Sequence, residues 1–387
     1  MRTLITGIRR LAKRARRVDT LQWAAVDSYA DLLGAARPSI IWLAHPTALK
    51  PNDRLLFAEL ANEEVRAEHF REQPQPAGIG LGCLEDAVVS GASLVGSTTT
   101  LYRLGPAAPL YIDQYLGQDP LSNGPPVGSR RLQRRTSRNV SGLSVLLTHW
   151  NSGVYGHWLL EGMPKLLLLR RIAAHLPAFR IVLPRSLPDW VARWIELVLP
   201  EAALECYDER KEYLRCEKLL IPTVVMHPEH FFHPLLSSLL DELCRSTAAP
   251  ASDRRRLFVT RVAASRYRKL ANQSQIEEIA AQEGLTLFTP ERLSIAEQVR
   301  AFTSADLVVG EFGSAMHGTL FSPSHTKVLC LNWINGMQSR IAQLKRQDVG
   351  YILPSDGVAV KYVPGAAPVD YHIDEQAFRR CLRQLAH

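Results

Sequence analysis

At 387 residues the chain is too long for one ordinary hydrophobic core and reads as two domains. Its 22% charged and 46% apolar residues describe a globular chain, and no apolar run approaches the roughly 20 residues of a spanning helix. A net charge of +8 asks for an acidic partner, whether nucleic acid, a membrane surface or a phosphorylated small molecule. Cys83, Cys206, Cys216, Cys244, Cys330 and Cys381 are scattered without a C-x-x-C pair, and read as reduced thiols of a cytoplasmic protein.

Residues 1–17 carry Arg2, Arg9, Arg10, Lys13, Arg14, Arg16 and Arg17, with Ile5, Ile8, Leu11, Ala12 and Ala15 on one helical face. Such a segment is either a solvated basic terminus or a helix lying on anionic lipid at the inner membrane face. Up to residue 140 the turn signals are dense and the region reads as mixed and β-rich. A second basic cluster (Arg130, Arg131, Arg134, Arg135 and Arg138) reads as a solvated loop; no aromatic side chains interleave it, which weighs against nucleic acid.

From residue 144 the pattern turns α/β. Strands are expected at 144–148, 180–183 and 218–221, and helices at 156–174 (interrupted near Pro164), 189–198 and 234–245. A small-residue and proline stretch, 246–253, marks the boundary. Beyond it strands at 256–260, 285–288, 307–310, 327–331 and 351–353 alternate with helices at 273–283 and 294–303. The second of these opens on a Ser294/Glu297 capping box. A last helix spans 375–385. The expected domains are therefore 1–250 (mixed to 140, α/β over 144–246), 253–360, and a tail of 361–387 packing back on the first.

Three constellations could carry chemistry. In a helix, His157 and Glu161 stand four apart on one face, and a carboxylate beside an imidazole is a candidate general base. Arg261, Arg266, Arg268 and Lys269 follow a strand end, where guanidinium groups suit a diphosphate. The strand ending at Gly310 is followed by Glu311 and a small-residue turn (Gly313, Ser314, Ala315) that opens onto a helix-like segment bearing His317. Anionic ligands dock at such strand ends and helix N-termini. The alternatives are a packing histidine with a salt-bridged glutamate, a solvated charge run and packing glycines. His227, His230 and His233 do not match zinc spacing between Pro228 and Pro234, and read as a loop at a cleft edge with no metal bound.

Together these segments resemble glycosyltransferase family 61. Gly156, His157, Trp158, Glu161 and Pro164 are similar to a G-H-W-x-x-D-x-x-P stretch, with Glu161 where aspartate is usual. Thr260, Arg261, Arg266 and Asn272 resemble T-R-x-x-x-x-R…N. Glu297, Gln298, Ala305, Asp306, Val309, Gly310, Gly313 and His317 resemble the E-Q…A-D-x-x-V-G-x-H-G-A-G stretch. Phe312 stands where many members carry histidine, and Ser314-Ala315 where they carry Ala-Gly. The resemblance runs over residues 144–355.

It implies a GT-B architecture: two Rossmann-like domains facing across a cleft, with a mixed N-terminal region. It also implies an inverting transfer without metal or other cofactor, from a UDP-linked nucleotide sugar to a glycan or lipid-linked glycan of capsular or lipopolysaccharide type. Glu161 is then the expected base, with His157 orienting it. Arg261, Arg266, Gly310, Glu311, Gly313, Ser314, Ala315 and His317 are the expected donor contacts. A polysaccharide pyruvyl transferase and a nucleic-acid-binding protein are the competing readings.

Overall fold

The computed structural model describes residues 20–26, 39–45, 47–49, 56–57, 63–73, 78–91, 94–96, 100–104, 129–131, 136–149, 151–222, 231–247, 255–261, 268–358, 360 and 369–385. The basic segment 1–17, Arg134, Arg135, Arg266, His227 and His230 lie outside them, as does most of the 246–253 boundary.

The fold is mixed α/β. In the larger sheet Ala203–Tyr207, Phe179–Pro184, Thr136–Val145 and Glu212–Pro222 are neighbours in that order, all parallel. Numbered along the chain, these four strands run 3-2-1-4. Ile79–Ser90 pairs antiparallel with Glu212–Pro222 and carries the other strands of this sheet, all from the first 131 residues.

The second sheet is parallel throughout. Thr286–Phe288, Arg255–Val259, Ala305–Glu311, Lys327–Leu331 and Asp348–Ile352 lie in the order 2-1-3-4-5. Leu56–Phe57, from far upstream, adds a parallel strand at the outer edge. In this topology the strand order reverses between Arg255–Val259 and Ala305–Glu311, so their carboxyl ends flank a crevice.

Parallel strands covered on both faces must be apolar at every position. The centre of Ala305–Glu311 obeys this, since Val308 faces one cluster while Leu307 and Val309 face another, and the charged Asp306 and Glu311 lie toward its ends. The first cluster runs without interruption from Val145, Ile181 and Leu183 of the larger sheet, through Trp158, Leu167 and Trp194, to Val259, Val308 and Val328 of the second. Trp194 stacks on Phe321 across this seam with ring centroids 5.7 Å apart.

Three differences from the sequence reading have local causes. The helix at 156–174 is interrupted before Pro164, because Trp158–Gly162 is a single π turn closed by Met163 N–H donating to Trp158 O. Pro164 sits in the first turn of Met163–Ile172, where its missing N–H costs nothing. The last helix, Glu375–Leu385, lies on Gln273–Gln282 and the second sheet: Phe378 meets Phe258 edge-on, and Arg379 pairs with Glu283 at 2.9 Å. Arg138 is a strand residue and no loop cation, bound by the carboxylates of Glu205 and Glu212.

A buried clamp ties the short helix Glu63–His69 to the second half. Arg340, 1% exposed, lies 4.0 Å above the Phe231 ring and pairs with Glu68 at 3.1 Å. His69 Nδ1 meets Ser339 Oγ at 2.9 Å, and Ser339 meets the Tyr351 hydroxyl at 2.7 Å.

The capping box is complete. Ser294 Oγ accepts from Glu297 N–H, and the Glu297 carboxylate accepts from Ser294 N–H at 2.8 Å. Ser294→Ala should therefore cost about 1 kcal/mol of stability in urea denaturation. An unchanged midpoint would mean that packing alone sets this helix start.

Candidate functional site

The site begins where Thr136–Val145 leaves the larger sheet. His149 is 3% exposed, and Ser152 closes its turn twice: Ser152 Oγ accepts from His149 N–H at 2.8 Å, and Ser152 N–H donates to His149 O at 3.0 Å. Val154 N–H then donates to Asn151 O, and the helical stretch Tyr155–His157 follows. The π turn comes next. Its extra residue is accommodated by Gly162, where a side chain would drive into the Trp158 ring at 2.4 Å. Single π turns recur at functional sites because they re-aim side chains.

Here the turn places Glu161 between two imidazoles. Its Oε1 lies 2.7 Å from His157 Nδ1 and its Oε2 3.1 Å from His149 Nδ1. His157 Nε2 faces Asn151 Nδ2 at 3.1 Å, where the amide can donate, and Nδ1 is the nitrogen that donates to Glu161. Burial works against the Glu161 carboxylate, yet the charges and hydrogen bonds of His149, His157 and Lys165 hold its pKa down to about 2. Burial pulls His149 down to about 4 against the attraction of Glu161. It pulls the fully buried Lys165 down to about 7, again against Glu161. The cluster is thus a buried carboxylate with His149, which burial keeps neutral near pH 7, at one oxygen, His157 at the other and Lys165 nearby.

The second half of the site is the strand–turn pair of the other sheet. A side chain at Gly156 would meet Ser314 Oγ at 2.7 Å and His317 Nδ1 at 2.9 Å, so the helix bearing His157 and the turn after Glu311 are in direct contact. Tyr155 reinforces the contact by donating to Gln298 Oε1 at 2.7 Å. The structure therefore brings the two best sequence candidates together. Gly313 is extended, and Ser314–Phe321 is a 3-10 helix.

The individual roles separate. Gly310 is a packing glycine, since a side chain there would strike Val259 O at 2.8 Å and Met316 Sδ at 2.9 Å. Glu311 is 8% exposed and accepts from the Tyr371 hydroxyl at 2.7 Å. Phe312 is a core residue. Ala315 packs half-buried against the shared apolar cluster. Arg261 follows Arg255–Val259 on the other side of the crevice, and its Nη1 is buried with no hydrogen-bond partner among the described residues. Thr260, Gln273 and Glu277 form a hydrogen-bonded cluster beside it.

His233 donates from Nε2 to His45 O at 2.8 Å and accepts Leu235 N–H on Nδ1, so both nitrogens serve to pin loops. Among the described residues no group of three metal-ligating side chains occurs. No helix among them is long and apolar enough to cross a membrane.

Residues 155–329 match the family model described as Glycosyltransferase 61. Over these residues the chain carries a glycosyltransferase family 61 domain. It is accordingly a glycosyltransferase, and its partners include a sugar donor and an acceptor. The family-61 segment contains His157, Glu161, Arg261 and the 310–317 turn, and ends within Lys327–Leu331. No curated protein matches the chain. Sequence reasoning missed His149, Asn151 and Lys165; polar residues immediately after the apolar run 143–147 were the available signal.

Two outcomes follow from this packing and these charges. Gly156→Ala should destabilise the fold by about 1–3 kcal/mol through overpacking against Ser314 and His317. A fully stable, fully active Gly156→Ala protein would show that the helix and the turn are not held together. Between pH 6.5 and 4 the unfolded chain takes up protons that His69 and His149, both near 4 when folded, refuse. Stability should therefore rise with pH through that window. It should fall further below about pH 4.5, where the unfolded chain protonates glutamates while folded Glu161 stays ionised down to about 2. Thermal midpoints across pH 3–7 measure this, and a flat profile would contradict the buried cluster.

Proposed function

We propose an inverting, metal-independent transfer from a nucleotide sugar, UDP-linked, to a growing cell-surface polysaccharide of capsular or lipopolysaccharide type. The enzyme would work at the cytoplasmic face of the membrane, with residues 1–17 against anionic lipid. The observation that carries the reading is His157, oriented through Nδ1 by Glu161 and packed beside the turn at the strand-order reversal.

In this reading the sequence-based roles of the pair are exchanged. A carboxylate held near pKa 2 is too weak a base for an alcohol, whereas an imidazole whose Nε2 faces only a side-chain amide in place of a charge suits the task. His157 Nε2 takes the proton of the acceptor hydroxyl, displacing the Asn151 amide. Glu161 keeps the ring in the Nδ1–H form and stabilises the imidazolium that results.

The acceptor oxygen forms its bond to the anomeric carbon from the face opposite the diphosphate, and the bond from that carbon to the leaving oxygen breaks with its electron pair. Arg261, whose buried Nη1 has no hydrogen-bond partner among the described residues, and Arg266 receive the departing charge. The amides of Ser314 and Ala315 at the start of the 3-10 helix complete the cradle. Glu311, held by Tyr371, is suited to a ribose hydroxyl. His317 lies at the join between donor and acceptor sides.

His157→Ala should lower kcat by about 10²–10⁴-fold with donor affinity unchanged, and added imidazole should restore part of the rate. Wild-type turnover in that variant would remove His157 as the base. Arg261→Ala should weaken UDP binding by about 1.5–3 kcal/mol in calorimetry. Undiminished affinity would put the diphosphate elsewhere. The anomeric configuration of the product, read by NMR, decides between inversion and retention.

A further inference from the structure

Glu161 has a second imidazole partner that the transfer chemistry does not use. We propose that His149 is a positioning residue of the same site, its Nδ1–H holding Oε2 of Glu161 so that Oε1 stays fixed on His157. The inference rests on His157 being the base, and it concerns a residue upstream of the matched segment 155–329.

A nearly buried carboxylate needs donors on both oxygens, or it loses solvation that nothing replaces. His157 serves one oxygen at 2.7 Å; His149 stands at the other at 3.1 Å. The His149 ring is 3% exposed, and both its backbone N–H and its C=O are fixed by Ser152, so it has little freedom to turn away.

Its single proton must be on Nδ1. With the proton on Nε2, a lone pair would face the carboxylate, and Nε2 makes no hydrogen bond of good geometry among the described residues, the His157 backbone being the one further group that bears on the ring. Asn151 N–H also points at Nδ1 from 3.2 Å. The charged acceptor outcompetes that weaker contact.

The choice of a histidine has a further consequence. The ionisable groups bearing on His149 are Glu161, Lys165 and His157. Burial keeps His149 neutral near pH 7, so it anchors the carboxylate without cancelling its charge. A second cation at this point would quench the negative field that supports a proton on His157. His149 therefore sets geometry and leaves the field in place.

The test compares His149→Leu, which removes the donor, with His149→Asn, whose side-chain amide can stand where Nδ1 does. Leu should lower kcat by about 10²-fold with both KM values unchanged, the usual effect of a misplaced catalytic group. Glu161 would then concentrate its hydrogen bonding on His157, so the acidic limb of the kcat profile should move to higher pH. His149→Asn should recover most of the rate and the wild-type limb.

Nitrogen NMR of the wild-type protein should show His149 as the Nδ1–H tautomer at neutral pH; an Nε2–H signature overturns the assignment without any variant. So does a folded His149→Leu enzyme with unchanged kcat. Equal losses in Leu and Asn variants with an unmoved limb would reduce His149 to packing. The His157 titration, followed by NMR in both variants, reads the coupling without turnover. If His157→Ala proves active, the base assignment falls, while the presence or absence of that titration shift still decides the role of His149.

Discussion

A negative charge inside a protein must be met by donors on every oxygen, and the placement of Glu161 imposes that demand on its surroundings. The π turn brings the carboxylate inward, Gly162 makes room for Trp158, and His149 and His157 take one oxygen each. Relieving any one of these constraints would free the carboxylate to seek water or to protonate. The cluster is costly to build and so persists as a unit; its members constrain one another more than any of them constrains the fold.

The second half of the site is prepared by topology. In a 2-1-3-4-5 parallel sheet the helices after strands 1 and 3 leave on opposite faces, so the carboxyl ends of Arg255–Val259 and Ala305–Glu311 open a crevice without any special sequence. Arg261 and the 313–317 turn are on its two sides. Only one more contact is needed to make a two-sided site, and the absence of a side chain at Gly156 supplies it.

Elements far from the chemistry hold these halves in register. The continuous apolar cluster between the sheets, the Trp194–Phe321 stack and the buried Arg340 over Phe231 all cross the seam. Leu56–Phe57 extends the second sheet with chain from the first half. Arg340 binds residues more than 260 positions upstream, with Glu68 as its carboxylate partner. A charge pair of this kind, buried and aromatic-capped, specifies one docking geometry where apolar packing alone would tolerate several.

The alternation of strands and helices after residue 144, the capping box at Ser294 and the extents of Asp189–Val198, Lys327–Leu331 and Glu375–Leu385 were all legible in the chain, because each depends on neighbours within a few residues. The pairing of His157 with Glu161 was legible for the same reason, since four residues of helix bring them together. The sequence could not disclose that Glu161 is held ionised, because its pKa depends on burial and on His149, twelve positions away across a turn. Nor could it place Glu375–Leu385: an amphipathic helix announces that it has an apolar face, but not which surface covers it. Local hydrogen bonding and periodicity determined the elements and one half of the site. Long-range packing decided which carboxylate keeps its charge, which imidazoles meet its two oxygens, and which turn stands opposite.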